Sequence, residues 1–369
     1  MDLESWRRLQ KSPKWRLEFT IYQGDMESFE YILDTEKMDT ATILECCATA
    51  IYENHMKCLR YLIEKAKCSS IDIFTTFPGI IAFLLHCAIE VGSIEGLKYL
   101  ISEGADVNKR YYESTLLHKS VLDGRTDVTE FLVSLPQINK NQVSSKGRTP
   151  LMDAAFYGSV DCLHILIEKG CNVNFTNDNG VGAIHCCFSE LVDSKSRLML
   201  LIALVKAGAN INQADSLGWT PLHYAAWKRC LDAVTFLIYH NCELDMLCAP
   251  VYGTMLKTNL SPPFLLALER KCLEVADVLV KSGCTYTKFY WAKQKCSKDE
   301  NVYKWLNNLY GKVPSLKSYS RKMIRGTLGK NIHSKIAQLN IPDSLKHYIL
   351  LKDVLPTVET VYLHYIGLT

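Results

Sequence analysis

The sequence predicts an all-α protein, a solenoid of about eight short helical repeats followed by a small three-helix module. Three observations predict this class. Glycine-containing segments recur with a period of 33 residues, Thr-Pro pairs occupy predicted helix starts, and the last fifty or so residues are amphipathic without that period. A repeat this short can bury its apolar face only against its neighbours, so a stacked array follows.

The period is visible in two series of near copies. Segments of the type Gly-Ala-Asp-Val-Asn begin at Gly104, Gly170 and Gly208, with a degenerate copy at 137–141. Segments of the type Gly-x-Thr-Pro-Leu begin at Gly147, Gly180 and Gly218, at spacings of 33 and 38 residues. We interpret the longer spacing as an inserted loop near Glu190 to Arg197.

Helix signals stand at fixed positions within each repeat. Thr149-Pro150 and Thr220-Pro221 place a hydroxyl at the N-cap and a proline in the first turn, where its missing N–H costs nothing. Small residues such as Ala154 and Ala155 give the first helix a narrow face that allows close packing. Gly170 follows the second helix as a left-handed C-cap.

These features resemble the ankyrin repeat over roughly residues 14–290. The expected domains are an N-terminal segment with a degenerate capping repeat at 1–40 and ankyrin repeats at 41–290. The units are expected near 41–74, 77–110, 111–143, 147–176, 180–214, 218–248 and 253–290, after a cap from Leu17 to Leu33.

Recurring histidines and paired cysteines have structural explanations. The histidines are His86, His118, His185 and His223. A metal site is the alternative, but the resemblance implies that each histidine bridges backbone groups of adjacent repeats. The pairs Cys46-Cys47 and Cys186-Cys187 fall on first helices, which need small buried side chains, and no Cys-x-x-Cys pair occurs. We expect no metal and no cofactor.

Composition excludes several function classes. The 42 basic and 39 acidic residues are too balanced to predict a nucleic-acid surface. The first residues contain no apolar signal segment, so we expect the fifteen cysteines to be reduced. Apolar runs fall short of the roughly 18 residues of a membrane span. The expectation is a soluble cytosolic protein without membrane insertion, with the nucleus as a second compartment.

No common catalytic motif occurs, and repeat solenoids mostly bind proteins, so we expect a non-catalytic protein. Partners of ankyrin arrays dock on hairpin tips and first-helix faces. The candidate substrate contacts are aromatic residues at predicted tips, namely Tyr111, Tyr112 and Phe175. The alternative is that these rings pack along neighbouring tips. The protein substrate itself cannot be read from the sequence.

After residue 290 the repeat pattern stops. Residues 291–313 are expected to be a connector, in which Val302, Trp305 and Leu306 belong to a short helix packed on the last repeat. Pro314-Ser315 then starts an amphipathic helix that closes at Gly329. Its apolar face comprises Leu316, Tyr319, Met323, Ile324 and Leu328.

Residues 314–355 resemble a SOCS box. The elongin-binding helix of that family begins with a small residue and Leu, followed after three residues by Cys and after three more by an aliphatic residue. Leu316 and Ile324 match, whereas Ser320 replaces the cysteine. The resemblance implies that these three residues contact elongin C, with Leu316 in an apolar pocket.

The family's cullin-selecting segment reads Leu-Pro-aliphatic-Pro before a helix with Leu and Tyr. This chain has Leu339, Ile341 and Pro342, then Leu345 and Tyr348, with Asn340 in place of the first proline. The resemblance implies cullin binding by these five residues. The spacing favours cullin 5, and cullin 2 is the alternative. Residues 356–369 are a further tail.

The combination resembles the ankyrin repeat and SOCS box family. It implies a substrate-recognition subunit of a ubiquitin ligase that contains elongin B, elongin C, a cullin and a RING-box protein. Two rivals stay open. One is an ankyrin scaffold or inhibitor whose C-terminal helices only cap the repeats, and the other is an elongin binder that recruits no cullin.

Overall fold

The computed structural model describes residues 12–36, 38–68, 78–249, 261–285, 299–310, 324, 332–339, 341–343 and 346. They belong to two compact units, one formed from residues 1–154 and 161–171 and the other from residues 155–160 and 172–369. Every regular element in these ranges is a helix, and extended pairing is limited there to isolated bridges at hairpin tips. The predicted all-α repeat fold is confirmed.

Helices occur in pairs, as the repeat predicts. In the first unit they are α1 Pro13–Gln23 and α2 Met26–Thr35, α3 Thr40–Tyr52 and α4 Met56–Cys68, α5 Pro78–Val91 and α6 Ile94–Ser102, and α7 Leu116–Leu122 and α8 Thr126–Val133. The pair α9 Pro150–Tyr157 and α10 Val160–Glu168 contains residues of both units.

The pairs of the second unit are α11 Ala183–Cys186 and α12 Ser194–Lys206, α13 Pro221–Trp227 and α14 Leu231–Tyr239, and α15 Pro263–Glu269 and α16 Leu273–Lys281. The described residues thus contain eight pairs, in agreement with about eight predicted repeats. First helices pack on first helices, as α1 does on α3 and α13 does on α15.

The N-terminal capping repeat forms although its sequence lacks the Thr-Pro signal. Leu17 and Ile21 of α1 and Phe29 of α2 are fully buried, with Leu33 nearly so. Their spacing of four residues places each pair on one helical face. Burial of that face against α3 explains why the degenerate sequence still folds as a repeat.

The predicted first-helix starts are present, but their capping differs. At α9 the Thr149 hydroxyl accepts the backbone N–H of Met152 at 3.3 Å, as an N-cap should. At α13 a capping box is present, in which the Thr220 hydroxyl accepts from the backbone of His223 and Nδ1 of His223 accepts the backbone N–H of Thr220 at 3.1 Å. The histidine that completes this box is replaced by Met152 in α9.

Glycines at helix ends and hairpin tips have backbone reasons. Gly170 has φ +81°, the left-handed C-cap predicted for α10. Gly218 has φ +79°, and an added Cβ would lie 2.9 Å from the carbonyl oxygen of Leu247 in the next hairpin. The repeated glycine thus permits close approach of neighbouring tips.

The inserted loop overlaps the predicted position at residues 190–193, whereas residues 194–197 belong to α12. Helix α11 has four residues, and the chain reaches α12 through residues 187–193. Arg197 of α12 donates from Nη2 to the carbonyl of Val192 at 2.6 Å and from Nε to that of Cys187 at 3.2 Å. This side chain therefore holds the loop against its own helix.

Beyond the repeats, two further helices are described, α17 Glu300–Tyr310 and α18 Ile332–Gln338. Val302 and Leu306 of α17 are buried, and the ring of Trp305 lies 6.5 Å from that of Phe264 in α15. The predicted helix packed on the last repeat is confirmed. Of the next predicted helix, the described residues include only Ile324, which is helical and half-buried.

In the described ranges, none of the helices combines enough length with enough apolar character to span a bilayer. Thirteen cysteines with described side chains are free thiols, and all of these are buried except the half-buried Cys230. The pairs Cys46-Cys47 and Cys186-Cys187 are buried as predicted. Burial raises the pKa of Cys46 to about 12, which keeps it protonated and inert at neutral pH.

Candidate binding surfaces

Asparagines join the hairpin tips of successive repeats. Asn108 donates from Nδ2 to the carbonyl of Gln137 at 2.7 Å and accepts the backbone N–H of Asn139 at 2.6 Å. Asn174 makes the same pair of contacts with Gly208 and Asn210 at 3.0 and 2.8 Å. The same contacts in two repeats explain why asparagine ends the Gly-Ala-Asp-Val-Asn segments. Sequence reasoning assigned no role to this asparagine.

Three of the four recurring histidines bridge adjacent repeats. Nε2 lies 2.8 Å from the carbonyl of Arg148 for His118, 2.9 Å from that of Gln213 for His185, and 3.0 Å from that of Met246 for His223. Because a carbonyl only accepts, Nε2 carries the proton. Nδ1 then accepts the backbone N–H three residues earlier, at 3.3, 3.0 and 3.1 Å respectively.

Burial lowers the pKa of all three bridging histidines, to about 4 for His223. They are therefore neutral at pH 7. The structural interpretation of these three is confirmed. Across the described residues, no group of three His, Cys, Asp or Glu side chains is arranged to hold a metal ion.

His86 departs from the other three. Its buried Nε2 atom has no hydrogen-bond partner. The cause is local, because α5 begins at Pro78 and the residue three positions before the histidine, Phe83, lies inside the helix rather than at its N-cap. The ring of His86 instead faces that of Tyr112, with centroids 5.5 Å apart. The bridging role predicted for His86 is therefore wrong.

The adjacent tyrosines at the next hairpin tip point in different directions. Tyr111 is 5% exposed and pairs its backbone with Ser114, so the expectation that its ring is exposed is wrong. Tyr112 is 73% exposed and has φ +61°, a left-handed conformation that is rare for a bulky residue. This conformation turns its ring outward beside His86.

Phe175 lies at a hairpin tip of the second unit and is half-buried. Its backbone N–H donates to the carbonyl of Asn172 at 3.4 Å. Its own carbonyl lies close to Gly182, where an added Cβ would approach it to 3.2 Å. Part of this ring is available to a partner, and part packs within the tip.

Sequence reasoning missed the exposed side chains on first helices of the first unit. Tyr22, Tyr52 and Leu122 occupy one repeat position on α1, α3 and α7 and are all exposed. Glu90 occupies that position on α5 and accepts the hydroxyl of Tyr52 at 3.0 Å. Aligning the helix ends of the repeats would have revealed this row, because equivalent positions of stacked repeats lie side by side.

The second unit has a groove of about 460 Å³ beside the inserted loop. Lys228 and Glu190 form an ion pair of 2.8 Å there. Nη1 of Arg197 donates to Sγ of Cys230 at 3.2 Å, while burial raises the pKa of that thiol. Lys228, Glu190 and Arg197 of this groove therefore already have partners in the chain.

The C-terminal segment is described around the end of α18. Ile336 is fully buried, and Leu339 just after the helix is 38% exposed. The backbone N–H of Ile341 donates to the carbonyl of Leu339 at 3.0 Å, and the carbonyl of Pro342 accepts the N–H of Lys346 at 3.0 Å. Leu339, Ile341 and Pro342 thus share one tight turn, which leads into a helical turn after Pro342.

The remaining predicted contacts of this segment lie outside the described residues. They are Leu316, Ser320, Leu345 and Tyr348.

Comparison with family models finds both predicted modules. Ankyrin repeats, in three copies, match residues 84–177 and 172–248, and a SOCS box matches residues 312–350.

Curated relatives share moderate identity. The chain is 25% identical over 198 residues to the E3 ubiquitin-protein ligase KEG of Arabidopsis thaliana, covering 50% of this chain and 12% of that protein. It is 27% identical over 168 residues to the human transient receptor potential cation channel subfamily A member 1, covering 44% of this chain and 15% of that protein. It is 25% identical over 176 residues to the mouse B-cell lymphoma 3 protein homolog, covering 47% of this chain and 31% of that protein. The chain thus spans less than a third of the length of each of these relatives.

Proposed function

Because this chain belongs to the ankyrin repeat and SOCS box family, we propose that it is the substrate-recognition subunit of a cullin–RING E3 ubiquitin ligase. The observation that carries the proposal is the occurrence of both modules in one chain, with ankyrin repeats within 84–248 and a SOCS box at 312–350. We propose that the chain itself is non-catalytic. The chain would act by holding two partners near each other.

The SOCS box is proposed to bind elongin C, and through it elongin B. Leu316 and Ile324 are the apolar contacts of the motif, with Ser320 between them. An apolar side chain buried in a partner's pocket is worth about 2 to 5 kcal/mol by analogy with core truncation. Leu316 is therefore the residue on which elongin binding should depend most.

The segment after α18 is proposed to select the cullin. The tight turn of Leu339, Ile341 and Pro342 leaves Leu339 partly exposed, which supports a contact with a partner. Leu345 and Tyr348 would extend this contact. The spacing favours cullin 5 with its RING-box protein, and cullin 2 is the alternative to be tested.

The ankyrin repeats are proposed to bind the protein substrate. Tyr112 supports this role because its ring is mostly exposed at a hairpin tip. Phe175 is a second candidate at a tip of the other unit, whereas the ring of Tyr111 is buried and its backbone is already paired with Ser114. The balanced charge of the chain supports a protein partner rather than a nucleic acid, and we propose the cytosol as its compartment, with the nucleus second.

The proposal is tested by recovering the tagged full-length protein from cells and measuring elongin B, elongin C, cullin 5 and cullin 2. Wild-type protein should recover both elongins and one cullin. Leu316→Arg should recover no elongin and no cullin, because a charge cannot enter an apolar pocket. Leu191→Arg is the matched control, since Leu191 is exposed in the inserted loop.

The rival scaffold predicts a different result. If the C-terminal helices only cap the repeats, the folded wild-type protein recovers no elongin, and Leu316→Arg destabilises the chain itself. Elongin recovery without any cullin would favour the binder that recruits no cullin.

A further inference from the structure

Exposed aromatic side chains surround one carboxylate on the first-helix side of the first unit. Tyr52 of α3 is 46% exposed, Phe83 of α5 is 47% exposed, and Tyr112 is the most exposed of the three. Large exposed side chains gathered in one place commonly mark contact surfaces. With His86 and Glu90 they form what we call the Glu90 patch.

The five residues of the Glu90 patch are contiguous. Phe83, His86 and Glu90 lie three and then four residues apart, so they share one face of α5. The hydroxyl of Tyr52 donates to Oε2 of Glu90 at 3.0 Å, and the ring of Tyr112 faces that of His86 at 5.5 Å. The rings of Tyr52 and Tyr112 therefore both contact this face of α5.

Two features of the patch are unfavourable for folding. Tyr112 adopts φ +61°, which is unfavourable for a residue with a Cβ. The buried Nε2 of His86 lacks the carbonyl partner that the other bridging histidines have. Strain and unmet hydrogen bonding that persist in a fold point to a role for the site in binding.

The charge of the patch indicates what it binds. Glu90 and Glu53, the residue after Tyr52, are exposed, and in the described part of the chain no basic side chain forms an ion pair with either. Arg125 donates to the backbone carbonyl of Glu90 rather than to its carboxylate. Lys119 and Asp123, which also act on His86, form an ion pair of 2.9 Å with each other, and Asp127 and Arg125 both lie close to Gly92. The carboxylates of Glu90 and Glu53 therefore leave a negative surface beside the aromatic rings, which favours a cation.

We propose that the Glu90 patch docks a basic segment of the protein that the chain recognises. An arginine or lysine of that segment pairs with Glu90 and stacks on Tyr52, while an apolar side chain packs against Phe83 and Tyr112. Glu90 and Phe83 are separated by seven residues of α5, about 10 Å. An extended peptide spans this distance with about three residues. Calling this partner a ubiquitination substrate rests on the proposed function, whereas the docking itself does not.

The test uses purified full-length protein without elongins and a phage-displayed library of random nonapeptides. Peptides selected by the wild type should be enriched in arginine or lysine with an aromatic or aliphatic residue about three positions away. Glu90→Arg should reverse the preference to acidic peptides. Glu64→Arg makes the same charge change at an exposed position of α4 and should keep the basic preference.

A second variant separates binding from folding. Tyr112→Gly removes the ring but suits φ +61°, so the variant should melt at or above the wild-type temperature. It should nevertheless bind the best basic peptide about tenfold more weakly, as loss of an aromatic anchor does.

Peptides without basic enrichment, or a basic preference that survives both Glu90→Arg and Tyr112→Gly, would overturn the inference. Its failure is distinct from failure of the ligase proposal. Elongin recovery with no basic preference overturns the docking surface alone, and basic peptides without elongin recovery overturn the ligase assignment alone.

Discussion

At the scale of single residues, the turn between the two helices of a repeat requires a left-handed backbone. Glycine occupies this turn in several repeats, at Gly24, Gly92, Gly124 and Gly158. Asn54, Arg229 and Lys271 adopt the same conformation with φ between +56° and +59°. A residue with a Cβ is disfavoured there, so these positions store strain in the fold.

Replacing Arg229 should release that strain. Arg229 is exposed, and it has φ +59°. We expect Arg229→Gly to unfold with a free energy about 1 kcal/mol higher than Arg229→Ala, because alanine keeps the Cβ and glycine does not. Urea denaturation of the two variants measures the difference, and equal midpoints would contradict the strain.

The four recurring histidines should differ in their contribution to stability. His118→Ala leaves the N–H of Thr115 and the carbonyl of Arg148 without their partner, which should cost about 1 to 3 kcal/mol. His86→Ala should cost less, because Nε2 of His86 has no partner to lose. Equal losses in thermal or urea unfolding would argue against the bridging account.

Single residues also show where sequence reasoning stops. Tyr111 and Tyr112 are identical in type and adjacent, and nothing in the sequence says that the chain bridges back at Tyr111 and turns left-handed at Tyr112. His86 shares its repeat position with three bridging histidines, but it lies in the middle of α5, whereas each of the other three is the third residue of its helix. Exposure and orientation depend on backbone geometry that a repeat pattern does not encode.

At the scale of elements, the repeat pattern predicted the helix pairs well. The period fixes which residues face a neighbouring helix, so the helix pairs, the inserted loop before α12 and the packing of α17 all follow from spacing. Even the capping pair α1 and α2 could be predicted, because Leu17 and Ile21, like Phe29 and Leu33, keep helical spacing. The exposed row on first helices was not predicted, because it concerns the face that packing does not constrain.

The histidine bridges between repeats should make stability depend on pH. The folded pKa of His223 is lowered to about 4, below the ordinary 6.5, and those of His118 and His185 are lowered too. The neutral rings therefore contribute fully above pH 6.5, and the contribution is lost as pH falls toward 4. For His223 alone the loss is about 3 kcal/mol.

Urea unfolding at pH 7.5 and pH 5 measures this effect in a range where most carboxylates stay ionised. The midpoint should fall at pH 5, and His223→Gln should show a smaller fall than the wild type. An unchanged or higher midpoint at pH 5 would contradict neutral buried bridges.

The two departures from the SOCS motif should be reversible by substitution. Ser320 places a hydroxyl where the family has a thiol, and burying a hydroxyl without a partner costs about 1 to 3 kcal/mol. We expect Ser320→Cys to tighten elongin binding about fivefold or more. Titration of purified elongin B and C into each variant measures this, and weaker binding by Ser320→Cys would contradict the assigned register.

Asn340→Pro offers an independent test of the cullin segment. It restores the Leu-Pro-aliphatic-Pro sequence and restricts the residue before it, Leu339, to an extended conformation. Cullin 5 recovery should rise while elongin recovery stays constant. A rise in cullin 2 instead would reassign the cullin.

At the scale of the whole molecule, function follows from joining two modules in one chain. The repeats offer exposed aromatic and acidic groups such as Tyr112 and Glu90, and the C-terminal segment offers a second set of apolar residues. Each set alone would be a binding surface. Together they would bring a bound protein close to a ubiquitin-conjugating enzyme carried by the cullin, so that proximity replaces catalytic residues.

The central claim is that the chain engages elongin through Leu316. Calorimetric titration of purified elongin B and C complex into the purified full-length protein tests it most directly, with Leu316→Arg as the variant and Leu191→Arg as the control. The account predicts one-to-one binding by the wild type and the control, and none by Leu316→Arg with an unchanged circular dichroism spectrum. Absence of binding by folded wild-type protein would contradict it.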